Sequence, residues 1–310
     1  MSAKSINLRA FEIVNSSVTQ AHSDLFQKLK NRLSSSIVTD RAMLLNMSDK
    51  SSQEQDLISF YEAQDGLDMP VFCVLLRASI DDNAQHIDKA LFEQNTFKID
   101  DIKDNPLGPG VIYKRHFYFT AYKNHIVTTL PGNITIKGLQ TYLNWFLNDL
   151  YEITPKINSE KISELSDIEN IKVRDPINAQ SEGENEKTHK LTRLLRHLSL
   201  EAVKNFITDT PNISEEQLEQ MVSAELLLKF RKPKKNDPEA LKKAYSAILK
   251  PVADLDNYQV KRRNSSTIYS GKDIVESKVV YIEELEKNRI NERQLEQEMR
   301  KYIIELERNA

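Results

Sequence analysis

The sequence predicts an α+β protein of two domains. Each is a mixed or antiparallel sheet with packed helices. The second carries a basic strand-helix-strand unit, and a C-terminal helix follows. Three observations lead there. The first half alternates strand-like and helix-like periods. A polar stretch then interrupts it. Beyond that stretch positive charge concentrates, and the chain ends on a capped amphipathic helix. The expected boundaries are 1–154 for the first domain, 155–186 for the connection, 187–285 for the basic domain and 286–310 for the terminal helix.

In the first domain, INLRAFEIV (6–14) alternates and reads as a strand. Val18, Ala21, Leu25, Leu29 and Leu33 fall on one face of a helix over 18–33, with Ser17 as its cap. Strands are expected at about 37–47, 55–62 and 70–79, and a helix in DNAQHIDKALFEQN. VIYKRHFYFTAYKNHIVTTLPGN is the clearest hairpin, turning at Lys123-Asn124. TIKGLQTYLNWFLNDLYEI reads as a helix with Leu139, Tyr142, Leu143, Phe146 and Leu150 on its apolar face.

NSEKISELSDIEN and NAQSEGENEKTHK are short of large apolar residues, with a short strand expected between them at IKVRDPI. HKLTRLLRHLSLEAVKNFI is of undecided type. ISEEQLEQMVSAEL is a helix, with Ser214 as cap and Gln217 three residues on. NERQLEQEMRKYIIELERNA repeats that signal with Asn291 and Gln294. Its stripe Leu295, Met299, Tyr302, Leu306 spans about two heptads, so it packs on its own domain, with a dimer seam as the second use.

LLLKFRKPKKNDPEALKKAYSAILK carries the charge. LLLKFRK is a strand with Leu227, Lys229 and Arg231 on one side, and Pro233 ends it. Asp237 caps a helix with Pro238 in its first turn, and Leu241, Ala244, Tyr245, Ile248 and Leu249 form its apolar face. NYQVKRR is the return strand. SSTIYSGKDIVESKVVYIEEL is a long hairpin turning at Ser270-Gly271-Lys272. Residues 229–263 hold eleven Lys/Arg and four Asp/Glu, a net +7 in a chain of net −3. Such segregation favours a polyanion. The expected nucleic-acid-binding residues are Lys229, Arg231, Lys232, Lys234, Lys235, Lys261, Arg262, Arg263 and Lys272. A solvated surface that guards sheet edges is the plainer alternative.

Chemical motifs are incomplete. SGKD lacks the upstream glycine (position 266 is Ser) and the hydroxyl residue (position 273 is Asp) of a phosphate loop. Glu276-Ser277-Lys278, with Asp256 or Asp273, could serve a metal-dependent nuclease, but a plain hairpin accounts for them. Arg193 to His197 has three intervening residues, too few for a ribonuclease signature, and His189 and His197 lack further ligands. RHFYFTAY matches an RNA-recognition octamer at Arg115, Phe117, Phe119 and Tyr122, yet burying Phe117, Phe119 and Ala121 makes the better core. The lone cysteine, Cys73, reads as a buried hydrophobe and excludes an internal disulfide, so a reducing cytoplasm is expected. No signal peptide or membrane span is expected, and no cofactor or metal.

With SINL opening the first strand, the run at 226–250, NYQVKRR and STIYSGKDIVESKVV resemble the RexA phage-exclusion proteins. HFYFTAYKNHIV is similar to a pattern in KwaB-type proteins of Kiwa anti-phage systems. The resemblance implies a cytoplasmic, homodimeric DNA-binding protein that acts against phage with a membrane-protein partner encoded nearby. It transfers no catalytic residue, only the basic positions above. The resulting expectation is a non-enzymatic nucleic-acid-binding protein, DNA before RNA. A metal-dependent nuclease effector and a protein-interaction subunit of a defence complex are the alternatives.

Overall fold

The computed structural model describes residues 3–14, 25–45, 53–63, 68–81, 89–101, 110–131, 136–158, 168–174, 225–229, 258–263, 268–285 and 289–308. In chain order the elements are β1 (Ala3–Val14), α1 (Leu25–Ser34), β2 (Met43–Leu44), β3 (Gln53–Glu62), β4 (Val71–Asp81), β5 (Gly110–Tyr122), β6 (His125–Thr128), α2 (Lys137–Leu147) and β7 (Glu152–Pro155). Then come β8 (Ile168–Arg174), β9 (Glu225–Lys229), β10 (Tyr258–Arg262), β11 (Ile268–Ser270), the single-turn α3 (Gly271–Ile274), β12 (Ser277–Glu283) and α4 (Glu292–Arg308). The architecture is α+β with antiparallel ladders, as predicted. Two compact units emerge. One comprises Met1–Pro131, Ile136–Thr154 and Ser277–Ala310, the other Gly132–Thr135 and Pro155–Glu276.

Among the described residues, the first unit holds an eight-stranded sheet in the order β12-β1-β6-β5-β4-β3-β2, with β7 also paired to β1. Residues 118–121 of β5 are buried on both sides, as a strand in the middle of the sheet requires. Tyr118 faces one layer, while Phe119 and Ala121 face the other. Phe119 and Ala121 are core, as expected, and Phe117 is half-buried. On one face α4 lays Leu295, Met299, Tyr302, Ile303 and Leu306 against Leu8, Phe72, Val74, Tyr118, Val127, Val280 and Ile282. Burying five such side chains contributes on the order of 10 kcal/mol before conformational entropy is charged against it. The terminal helix thus spends its apolar stripe on its own sheet, leaving none for a dimer seam.

Arg300 fastens that helix. Its guanidinium pairs with Glu296 at 2.6 Å and donates to the carbonyls of Pro70 and Glu62, where β3 ends and β4 begins. At the head of the helix, Asn291 Oδ1 accepts from the Gln294 N–H at 3.1 Å, the expected cap. The Gln294 side chain does not return to Asn291 but accepts the Glu283 N–H at 2.7 Å, tying the helix to β12.

Several elements differ from expectation. The 37–47 segment is a strand only at Met43–Leu44. Thr39–Arg41 is a 3₁₀ turn, because Asp40 accepts the Ile37 N–H at 3.2 Å and the Arg41 side chain is driven inward. Lys89–Glu93 is a 3₁₀ turn rather than the end of an α-helix. The helix expected through Ile153 stops at Asn148, which adopts φ 47°. Asn144 then exchanges two hydrogen bonds with the Tyr151 backbone, and Gln140 accepts the Ile153 N–H, so residues 152–155 become a strand.

The hairpin expected over 265–285 does not form. Asp273 accepts from the Ser270 N–H (2.7 Å) and hydroxyl (2.8 Å), closing a turn of helix. Ile274 and Val275 are then buried, and Ile157 bridges Val275. β11 pairs β10, whereas β12 pairs β1. Ser277–Ala310 therefore belongs with the first unit, not in or after the basic domain. Among the described residues no helix is long and apolar enough to cross a membrane.

Candidate nucleic-acid interface

The second unit's sheet runs β11-β10-β8-β9. The two basic strands, β9 and β10, are therefore not neighbours. β8 lies between them, antiparallel to both. β8 is the IKVR segment that the sequence placed inside a polar connection. Its apolar residues do not alternate cleanly: Ile168 and Ile171 are both buried although three apart. The register shift at Lys261/Arg262, a β-bulge, accounts for it. Asn170 pairs Lys261 and Ile168 pairs Arg262, leaving Glu169 as the extra residue.

Register decides which side chains share a face. Lys229 lies opposite Asn170, and Asn170 opposite Lys261, which in turn lies opposite Ile268. These four form one cross-strand row. The next row on that face is Leu227, Lys172, Gln259 and Ser270. Lys229 and Lys261 are exposed, and Asn170, Lys172 and Gln259 are half-buried. On the opposite face Ile168, Ile171 and Val260 are buried. One side of the sheet is therefore covered, and the other, which carries both lysines together with Leu227 and Ile268, faces solvent, as the alternation in NYQVKRR predicts. Lys229 and Lys261 sit two strand spacings apart, roughly 9–10 Å.

The four strands carry five Lys/Arg and two Glu. One of those acids intrudes: Lys261 Nζ is 3.0 Å from Glu169 Oε2, with both side chains about half exposed. The bulge is what presents this glutamate to the lysine.

Arg262 is a correction. It was grouped with Lys261 and Arg263, but it pairs Ile168, a residue of the covered side, and its Nε is buried without a hydrogen-bond partner. One turn of the pleat separates it from Lys261. Arg263 is half-buried. Lys272 falls in α3 rather than at a hairpin tip, because Asp273 folds the tip into a helical turn. Arg231, Lys232, Lys234 and Lys235, and the helix expected over 237–250, lie outside the described residues. Lys172 and Asn170 were missed. The alternation of Lys172 with Ile171 and Val173 was their signal, hidden by the polar surroundings.

Lys278 pairs with Glu305 at 2.8 Å, 5.5 Å above the Tyr302 ring. Asp273 is occupied by Ser270. Asp256, His189, Arg193 and His197 lie outside the described residues. Among the described residues, no group of three or more His, Cys, Asp or Glu side chains is placed to hold a metal ion. No protein-family model matches this sequence, and no curated protein matches it either.

Proposed function

We infer that this protein binds nucleic acid, DNA before RNA, through phosphate contacts made by the exposed face of β9, β8 and β10, and that it does so without catalysing a reaction. The observation that carries this reading is the row Lys229–Asn170–Lys261: two exposed cations flank an amide in one register. The Lys261–Glu169 pair is no obstacle. An exposed pair is worth about 0–1 kcal/mol, so a phosphate competes with it readily.

Size favours backbone contacts over groove reading. Four strands span roughly 14 Å between outer axes, and side chains add to that. The major groove is about 12 Å wide and takes a two-stranded ribbon. This face rests across phosphates, so its binding is salt-dependent and weakly selective for sequence. Among the described residues the face offers no aromatic ring for base stacking, which favours duplex over single strand. The resemblance to phage-exclusion proteins supplies the setting, anti-phage defence.

A second reading has one observation of its own. Leu227 and Ile268 are each about half exposed on the same face. An acidic protein partner would bury them between the lysines.

Both readings meet one experiment: fluorescence anisotropy of labelled double-stranded DNA, single-stranded DNA and RNA across a salt series, for the parent and Lys229→Glu/Lys261→Glu. Steep salt dependence in the parent, with binding lost in the variant, is expected. Each phosphate contact removed should reduce the log–log slope by about 0.9. Equal binding by the two chains would place the interface elsewhere. No binding by either would leave the protein-partner reading.

A further inference from the structure

The first sheet has an open place inside it. β6 lies between β1 and β5 but is only four residues long. It pairs residues 9–12 of β1 on one side and residues 119–122 of β5 on the other. Thr129 adds one rung to Tyr118, and the chain then leaves the sheet. Pro131 has no N–H to donate, and the Arg9 guanidinium takes its carbonyl at 3.2 Å. β1 and β5 run on without β6. Among the described strands, residues 3–8 pair with β12 and residues 110–117 with β4, each on its outer side. β7, the remaining neighbour of β1, lies toward the other end of the sheet. It follows Asp149, which pairs with Lys28 on the helix whose Phe26 packs on Tyr122 at the hairpin tip.

β6 holds β1 and β5 two strand spacings apart, roughly 9–10 Å, so the gap beyond it is one strand wide. Arg9 is level with Phe119 through Thr128, which sets Asn7 level with Phe117 and Ser5 with Arg115. The Ile13 N–H bonds Asn124 O on the β6 side, and the β1 ladders have no bulge. Alternation therefore aims the backbone N–H and C=O of Ser5 and Asn7 into the gap. Exposure agrees. Ser5 and Asn7 are exposed and Phe117 is half-buried, although both strands are interior to the sheet. On the face of Tyr118 the head of α4 backs the gap, since the Tyr118 hydroxyl donates to Glu292 at 2.8 Å.

We propose that this gap receives an extended acidic segment of another protein, which adds a strand between β1 and β5. Charge chooses the occupant. The two bordering stretches carry Lys4, Lys114 and Arg115, all exposed, and no Asp or Glu. Main-chain bonds on both sides supply the affinity, and the cations supply the preference. The free length of β1 takes about six residues at ~3.3 Å each.

Fluorescence anisotropy of a labelled peptide of about seven alternating glutamates and valines, titrated with the full chain from about 1 to 500 µM, tests this. The parent should bind it, and should bind a lysine–valine peptide at least ~10-fold more weakly. Methylating alternate backbone nitrogens of the peptide should abolish binding, because it removes ladder donors. Asn7→Pro removes an N–H aimed into the gap and none from the β12 ladder, so it should abolish binding with unchanged circular dichroism. Lys4→Glu/Arg115→Glu, at two exposed positions, should weaken binding at least ~10-fold. The Lys229→Glu/Lys261→Glu chain should bind the peptide as the parent does, which separates this inference from the nucleic-acid reading. Equal binding of the methylated peptide would reduce the contact to charge alone and overturn the proposal. So would a parent that ignores the peptide, or one that self-associates in sedimentation velocity and excludes it, which would give the gap to a second copy.

Discussion

Tyr142→Phe isolates one buried hydroxyl that closes a gap in the first sheet. The β3–β4 ladder shifts register between Ile58 and Phe60, and a bulge frees backbone groups from the ladder. Ser59 O is taken by the Phe97 N–H at 2.8 Å. The Ile58 N–H is taken by the Tyr142 hydroxyl at 3.0 Å, which in turn donates to Arg41 O at 2.8 Å. Tyr142 is wholly buried, and burial pushes its phenol far above the ordinary range, so it remains a neutral donor. Removing the oxygen strands a buried N–H and a buried carbonyl, each costing about 1–3 kcal/mol. The ring keeps its packing, so no cavity term adds. The expected loss is about 2–6 kcal/mol, a large share of a ~5–15 kcal/mol stability. Trp145 is the sole tryptophan and sits on the same helix, so its fluorescence reports this unit in urea. The midpoint should fall with the m-value unchanged. A loss below about 1 kcal/mol would refute the argument that the bulge depends on this hydroxyl.

Arg300→Ala should cost about 3–5 kcal/mol, because it leaves Glu296 buried beside two abandoned carbonyls; urea melts read it, and Glu296, whose carboxyl burial already pushes up, should protonate at higher pH in the variant. His116 is held at a pKa of about 4, chiefly by burial and secondarily by Lys4, against about 6.5 unfolded. The unfolded chain therefore binds the extra proton first. His116 contributes stability fully above pH ~6.5, and that contribution is lost as pH falls towards about 4. His116→Gln should flatten the stability–pH curve in that window, and an unchanged slope would assign the acid sensitivity to other groups. Cys73 is buried and its thiol is pushed well above the ordinary range by that burial, so it should react with thiol reagents only after denaturation.

The elements that local chemistry specifies were legible in the sequence. The Asn291 cap, the turn at Lys123-Asn124, the apolar face of α2 except Leu150, which lies past the helix end and is exposed, and the alternation of β10 all depend on residues within a few positions of one another. The basic strands were legible as charge, and Lys229 and Lys261 do share an exposed face. What the sequence could not order is the ladder between them. β8 enters the middle of the second sheet because a bulge at Glu169 returns Ile168 to the side of Ile171, and a period-two reading misses a strand whose period slips. That same bulge brings Glu169 to Lys261.

Sequence by itself determined the α+β class, the segregation of positive charge and the paired face of β10, since charge and side-chain alternation are local properties. Tertiary structure decided that β12 leaves β11 for β1, and that the terminal helix closes over the N-terminal sheet. The first rests on pairings between residues more than 250 positions apart, such as Ile6 with Val280, and the second on contacts such as Arg300 with Glu62, 238 positions apart. Pairing partners of a strand are chosen by which apolar faces can be buried together, and no local signal in SKVVYIE distinguishes one neighbour from the other.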